Sequence, residues 1–264
     1  MFTIYKQQIL NDFNNRHNYE NEFHIRAAMR LVEVAKLQPG QQVLDVATGT
    51  GLAAIAAAQI VGATGHVLGT DFAVGMLQQA RQKVATLGLS NIKFEEVDAD
   101  EQDLEVSQFD AILCSSAIVY LTNIPQALHR WYNALKSGGI VAFSCLAETS
   151  PSSSVLFRSV VQKYGISIPN PNAILGTPEK CRQMLRSTGF IDSEIITQEF
   201  GFYLQDAEAA WSGNAKSAFG LQGVQWSKQQ WEQCQKEYFT KVNAAATAQG
   251  FWNSMTMFFV TAYK

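Results

Sequence analysis

The sequence predicts an α/β fold, with a mostly parallel sheet that carries helices on both faces. Between Gln42 and Phe143, short β-branched or apolar segments alternate with helical patterns at the spacing of consecutive strand–helix–strand units. Residues 43–58 show one such step in full, because the apolar pair Val43-Leu44 leads into a glycine-rich turn and then into an alanine-rich helix. The chain has 264 residues, 47% of them hydrophobic, and can therefore bury the core that such a sheet needs.

Residues 1–37 predict one or two helices packed before the first strand. Their apolar side chains recur at approximate helical spacing, at Ile25, Ala28, Met29, Leu31, Val32 and Val34. The first eight residues lack a basic segment followed by an apolar one, so we expect no export signal.

The glycine-rich turn, Asp45-Val46-Ala47-Thr48-Gly49-Thr50-Gly51, predicts a binding site. Glycine at Gly49 and Gly51 permits positive φ and lets a flat ligand approach the backbone. The helix that follows directs unpaired N–H groups at the turn, where an anionic or polar ligand group is favoured. We therefore expect a nucleoside-containing cofactor here.

A second strand, His66–Asp71, ends in an acid about 20 residues past the turn, where a carboxylate can bind the vicinal hydroxyls of a ribose. Residues 49–54 also satisfy the G-x-G-x-x-G/A pattern of dinucleotide-binding proteins. The turn and Asp71 alone do not distinguish a dinucleotide from another nucleoside-containing cofactor.

A resemblance separates the two classes. Asp45 to Gly51 is similar to the acid-x-Gly-x-Gly-x-Gly motif of class I S-adenosylmethionine (SAM) methyltransferases, with Ala47 in place of the first glycine, which related quinone-type members also tolerate. Four more segments resemble later motifs of that family in the same order, at residues 71–77, 97–100, 109–116 and 135–143. The resemblance implies a Rossmann-like, seven-stranded, mostly parallel sheet whose last strand is antiparallel.

The resemblance also implies which residues contact SAM. Backbone groups of Ala47, Thr48 and Gly49, in the turn that ends at Gly51, would contact the methionine part, and Asp45 would lie near its amino group. An alternative for Asp45 is that it only caps the following helix.

The adenosine contacts implied by the family lie further along the chain. Asp71 would bind both ribose hydroxyls, Phe72 and Met76 would cover the adenine, and Asp98 with the Ala99 N–H would bind its edge. Ser115 would lie near the transferring methyl group. Met76 as ordinary helix core and Asp98 as a solvated carboxylate are the alternatives.

Candidate catalytic residues come from the N-terminal segment and from the loop after the fourth predicted strand. We expect residues 13–20 to fold over the cofactor, with Tyr19 at the SAM carboxylate and His17 or His24 as general base. Tyr120 is a comparable candidate for orienting the substrate. A surface or core role is the alternative for both histidines.

We predict one methyltransferase domain over residues 1–264. Its parts are a helical cap (1–37), a SAM-binding core (38–147), lid or substrate insertions (148–180 and 206–249) and closing strands (190–204 and 255–263). Residues 148–154 form a Ser-rich loop, and Thr177-Pro178 begins a helix that Gly189 ends.

Aromatic residues crowd the last quarter of the chain, at Trp211, Phe219, Trp226, Trp231, Tyr238, Phe239, Phe251 and Trp252. Such side chains can enclose a small apolar or aromatic acceptor, which is the substrate class that we predict. Methyl transfer would be an in-line displacement, with O, N or C as the acceptor atom. Attachment of the insertion to the domain is the alternative for each of them. A non-catalytic SAM-binding protein and an NAD(P)-dependent oxidoreductase are the alternative functions.

Composition excludes several other classes. The net charge of −3 and the lack of a basic run argue against nucleic acid, as does Cys114-Ser115-Ser116-Ala117 where base-amino methyltransferases carry Asn/Asp-Pro-Pro-Tyr/Phe. The four cysteines are far apart, so we expect no metal site. The longest mostly apolar stretch, residues 52–63, is too short to span a bilayer, and we expect a cytoplasmic protein.

Overall fold

The computed structural model describes residues 4–16, 20–217 and 219–264. The helices in these ranges are α1 (Ile4–Asn14), α2 (Glu22–Ala35), α3 (Leu52–Val61), α4 (Val74–Leu87), α5 (Ile124–Ala134), α6 (Ser152–Val161), α7 (Pro178–Ser187), α8 (Ala207–Ala215) and α9 (Lys228–Ala245). The strands are β1 (Gln42–Val46), β2 (His66–Asp71), β3 (Ile92–Glu96), β4 (Phe109–Cys114), β5 (Leu135–Leu146), β6 (Ile191–Leu204) and β7 (Phe251–Tyr263).

The strands form one seven-stranded sheet in the order β3-β2-β1-β4-β5-β7-β6. The pairs β1–β2, β1–β4, β2–β3 and β4–β5 are parallel, whereas β7 runs antiparallel to both of its neighbours. Since β1 and β4 are neighbours although two strands lie between them in the chain, their carboxyl ends meet at a topological switch point, where open α/β sheets bind ligands. The predicted Rossmann-like fold is confirmed.

Helices α1 and α2 are the one or two helices predicted before the first strand, and their role as a cap stays a prediction. Asn21 caps α2, because its side chain accepts a hydrogen bond from the His24 N–H at 3.0 Å. This N-terminal hydrogen bond from Asn21 fixes where α2 begins and so places His24 in the first turn of the helix.

The chain divides into two compact units. The described residues of Met1–Cys145, Thr177–Thr197 and Phe258–Lys264 form unit 1, to which all seven strands contribute. Its interior is apolar, and Leu44, Ile112, Trp131 and Phe143 are fully buried there.

Unit 2 comprises the described residues of Leu146–Gly176 and Gln198–Met257. Helices α6, α8 and α9 pack around an aromatic core that includes Phe157, Trp211 and Tyr238. The single methyltransferase domain with lid insertions stays a prediction.

Local predictions outside the core strands are partly wrong. Thr177 caps α7 with Pro178 at its start, as predicted, but α6 begins inside the predicted Ser-rich loop, where the Ser153 N–H donates to the Asn253 side chain of β7. The predicted insertion 206–249 contains the two helices α8 and α9, and Ser227 begins α9 with a capping box. Across the ranges that the structure describes, no helix combines the length and apolar character needed to cross a membrane.

Candidate active site

A cavity opens in unit 1 at the carboxyl ends of the central strands. Its empty volume is about 990 Å³, part of it open to solvent, which suits a small-molecule site. Most residues predicted to contact a cofactor line it, namely Ala47, Thr48, Gly49, Asp71, Phe72, Met76, Asp98, Ala99 and Ser115. His24 and Tyr120 line it as well, whereas His17 and Tyr19 lie outside the described residues.

The glycine-rich turn after β1 has a left-handed backbone at three alternate positions. The φ angles are 51° at Ala47, 57° at Gly49 and 81° at Gly51. A Cβ at Gly49 would meet no protein atom within 4 Å, so its absence leaves space beside the cavity. Gly51 does not line the cavity, and a Cβ there would lie 3.1 Å from both Ala80 and Phe94. Gly51 thus serves close packing, while Gly49 serves access to the backbone.

Asp45 lies behind the turn and does not line the cavity. The residue is 1% exposed, and its Oδ2 accepts a hydrogen bond from the Thr48 hydroxyl at 2.6 Å. Among the described residues Oδ1 has no hydrogen-bond partner. Burial raises the pKa of Asp45 to about 7. The Thr48 hydroxyl and the Ala54 N–H favour the carboxylate and oppose this rise. Asp45 acts on the cavity through Thr48.

Asp71 lines the cavity and connects two segments of its wall. Its Oδ2 accepts from the Gly49 N–H and its Oδ1 from the Ala73 N–H, each at 2.8 Å. Burial raises the pKa of Asp71, and these backbone donors oppose the rise. Each carboxylate oxygen has accepted one hydrogen bond from the backbone and keeps a lone pair for a ligand.

The loop after β3 carries two acids whose partner the sequence did not reveal. Lys6 of α1 donates to Asp98 Oδ2 at 2.5 Å and lies 3.0 Å from Asp100 Oδ2. Asp98 is therefore not a solvated carboxylate. Lys6 also lines the cavity, and its separation of 92 positions from Asp98 explains why no local pattern indicated the pair.

The loop after β4 contains a strained residue. Ser116 lines the cavity with φ at 56°, although it is not glycine. Its N–H donates to the hydroxyl of Ser144, a fully buried residue of β5, at 2.9 Å. Ser144, which the sequence did not single out, thus holds the backbone beside Ser115.

Tyr120 and His24 reach the cavity from different elements. Tyr120 ends a short 3-10 helix, and Phe13 of α1 packs edge-on against its ring at 5.4 Å. Burial raises the pKa of Tyr120, with Asp12 adding to the rise and Arg16 opposing it, so the phenol stays protonated at neutral pH. Tyr120 can donate a hydrogen bond, and His24 remains the candidate to accept a proton.

Comparison with known proteins places this site in a family. A sequence profile described as a methyltransferase domain matches residues 43–139, from β1 into β5, and so contains the glycine-rich turn, Asp71, Asp98 and Ser115. The chain belongs to the class I SAM-dependent methyltransferases.

Two curated relatives of this methyltransferase illustrate the similarity. It is 33% identical over 144 residues to aklanonic acid methyltransferase DauC of a Streptomyces species, a match covering 53% of the chain and 66% of the relative. It is 30% identical over 151 residues to demethylmenaquinone methyltransferase of Listeria monocytogenes, covering 54% of the chain and 63% of the relative. The chain thus spans less than two thirds of the length of each of these relatives.

Solved structures share the fold at lower identity. YcgJ of Bacillus subtilis superposes with a TM-score of 0.62 at 14% identity, over 90% of this methyltransferase and 98% of YcgJ. Phosphoethanolamine N-methyltransferase 2 of Haemonchus contortus, solved with S-adenosylhomocysteine, gives a TM-score of 0.59 at 18% identity, over 99% of this chain and 57% of that one.

Proposed function

We propose that this methyltransferase transfers a methyl group from SAM to a small apolar or aromatic metabolite. One observation carries the proposal: the glycine-rich turn, Asp71, the pair Asp98-Ala99 and Ser115 line a single cavity in the order that the family motifs predict. Bound SAM supplies a methyl carbon made electrophilic by its sulfonium, so the chain's own residues need to bind, orient and move protons.

The turn after β1 would hold the methionine part of SAM. The open space at Gly49 admits the ligand close to the backbone, and the N-terminal N–H groups of α3 face polar ligand groups. Asp45 does not line the cavity, so it would act on the amino group through Thr48, whose hydroxyl donates to its carboxyl group.

The ends of β2 and β3 would hold the adenosine part. Asp71 would accept from the ribose hydroxyls with its remaining lone pairs, since Gly49 and Ala73 already orient its two oxygens. Met76 is 1% exposed and lines the cavity, so it serves as helix core and can cover a ring as well. Asp98 and Ala99 would bind the adenine edge.

The acceptor would lie toward Ser115, His24 and Tyr120. His24 would accept a proton from an acidic acceptor group, while Tyr120 would donate a hydrogen bond that orients it. The apolar side chains of Ile9 and Phe13, which also line the cavity, would exclude water and favour an apolar acceptor. The names of the relatives, with aklanonic acid and demethylmenaquinone, support a small-molecule substrate.

The test uses methyl-labelled SAM and a panel of phenols, aromatic carboxylic acids, amines and activated aromatic ring compounds. We expect label on at least one acceptor with a matching amount of S-adenosylhomocysteine. Gly49→Val is the negative control and should lose transfer. The valine side chain would fill the open space beside the turn, and the backbone at this position is left-handed. Tight SAM binding without transfer to any acceptor would contradict the proposal and favour a non-catalytic SAM-binding protein.

A further inference from the structure

Helix α1 forms one wall of the cavity along its whole length. Lys6, Ile9 and Phe13 lie at positions i, i+3 and i+7, on one face of the helix, and all three line the cavity. Ile9 is 2% exposed, and Gln7, on another face, is exposed. The helix therefore turns a specific face inward.

The first turn of α1 is anchored by charge. The Lys6 ammonium lies between the carboxylates of Asp98 and Asp100, and all three side chains are at most 13% exposed. Burial alone would lower the pKa of Lys6, but the two carboxylates outweigh it and raise the pKa, so the amine is charged. The loop that carries Asp98 and Ala99 is thereby connected to α1.

The last turn of α1 is anchored separately. The Asn14 side chain accepts a hydrogen bond at 2.9 Å from the N–H of Gly75, in the first turn of α4. Any Cβ at Gly75 would lie 2.6 Å from the Asn14 carbonyl oxygen, so glycine permits this close approach. Both ends of α1 thus contact elements that carry predicted adenosine-binding residues.

We propose that Lys6 is a positioning residue for the cofactor, which holds the Asp98 carboxylate at the adenine edge and fixes α1 over the cavity. The inference rests on the proposed SAM site and assigns to it a residue outside the family motifs.

Lys6 is expected to matter because its removal would leave two neighbouring carboxylates without a cation. Asp98 and Asp100 would then face each other with side chains at most 13% exposed and no cation between them, and two like charges so placed lower their energy by moving apart or by drawing in water. Either response removes Asp98 as an oriented acceptor for the adenine amino group. Without Lys6, Asp98 would keep the hydrogen bond that its Oδ1 accepts from the Asp100 N–H, whereas Asp100 is held by both the N–H and the hydroxyl of Thr122, so Asp98 is the acid more able to move.

The test measures S-adenosylhomocysteine affinity by calorimetry for the wild type, Lys6→Met and Gln7→Met. Gln7→Met places the same side chain on the exposed face of the same helix. We expect Lys6→Met to weaken binding by about tenfold or more and Gln7→Met to leave it unchanged. Lys6→Arg keeps the cation and should restore much of the affinity, which a purely apolar packing role would not predict.

Amide hydrogen exchange gives a second readout that needs no acceptor. In the wild type, S-adenosylhomocysteine should slow exchange across residues 4–14, and in Lys6→Met this protection should be lost. Asn14→Ala loosens the other end of α1 without touching the ion pair, so it tests the wall even where Lys6→Met folds poorly, and it should weaken binding too.

The outcomes separate this inference from the proposed function. If the wild type fails to bind S-adenosylhomocysteine, the SAM site itself is wrong. Wild-type binding with equal or tighter binding by Lys6→Met overturns the role of Lys6 alone. Weakening by Lys6→Met, rescue by Lys6→Arg and loss of protection across α1 together support it.

Discussion

The two units bury polar groups for different purposes. In unit 2 the buried polar residues bind one another: Asn253 accepts from the Ser153 N–H, and Asn172 donates to the Ser150 carbonyl. In unit 1, Asp45 and Asp71 are buried with raised pKa values at or directly behind an open cavity. Satisfied polar pairs stabilise a fold, whereas buried acids beside a cavity indicate a binding site.

The aromatic residues divide in the same way. In unit 2, Trp211 packs against Phe157, Trp231 and Tyr238 with ring centroids 5.3–6.1 Å apart. These aromatics pack against one another in a core within unit 2. In unit 1, by contrast, Phe13 and Tyr120 pair at the cavity wall.

The largest expected effect concerns unit 2. Trp211→Ala should lower the free energy of unfolding by about 3–5 kcal/mol, because it leaves a cavity in the aromatic core. Denaturant unfolding measures the loss, and Trp252→Ala, at a 43% exposed site, is the control with a smaller effect. The affinity for S-adenosylhomocysteine should not change in the folded variant; a large change would break the contrast between the units.

The next effect is a pH dependence in unit 1. The pKa of Asp45 is about 7 in the folded chain and 3.8 ordinarily, so the folded state binds the proton more tightly. This contribution to stability is complete below about pH 4 and is lost as the pH rises through about 7, up to about 4 kcal/mol in all. Asp45→Asn should flatten the curve of unfolding free energy between pH 5 and 8. An unchanged slope would contradict the assignment.

Asp71→Ala tests the binding side of the comparison. The variant should weaken S-adenosylhomocysteine binding by about 1–3 kcal/mol, the usual result of losing a charged hydrogen-bond partner. Calorimetry measures the change, with Asp103→Ala as the control because Asp103 is an exposed acid outside the cavity. Equal affinity in a folded Asp71→Ala protein would refute the ribose assignment.

The smallest effect sharpens the account of the turn. A left-handed backbone costs a non-glycine residue about 1–2 kcal/mol, and glycine costs about 0.5–1 kcal/mol of entropy. Ala47→Gly, at φ 51°, should therefore stabilise the chain by about 0.5 kcal/mol. Ala85→Gly in the exposed face of α4 should have the opposite sign, and thermal unfolding distinguishes the two. Loss of stability in both variants would contradict the strain at Ala47.

Local patterns predicted the sheet and much of the site. Alternating strand and helix signals, glycines at the turn and an acid at the end of β2 act within a few residues of each other, so the sequence shows them directly. The same is true of Thr177, whose side chain caps the helix that follows at once.

Other features depend on contacts between distant segments. Lys6 meets Asp98 across 92 positions, and Ser144 meets Ser116 across 28, so neither pair leaves a periodic signal. Asp45 matches the family motif, but only the structure shows that Thr48 separates it from the cavity. The start of α6 inside a serine run has no local side-chain cap, and the Ser153 N–H instead donates to Asn253, 100 positions further along the chain.

Titration of the purified chain with SAM, S-adenosylhomocysteine and NADH by calorimetry tests the central claim most directly. We expect the first two to bind and NADH not to bind, because the turn is assigned to a methionine part and Asp71 and Asp98 to one adenosine. Binding of NADH alone would contradict the assignment of every residue at the cavity and favour an NAD(P)-dependent oxidoreductase.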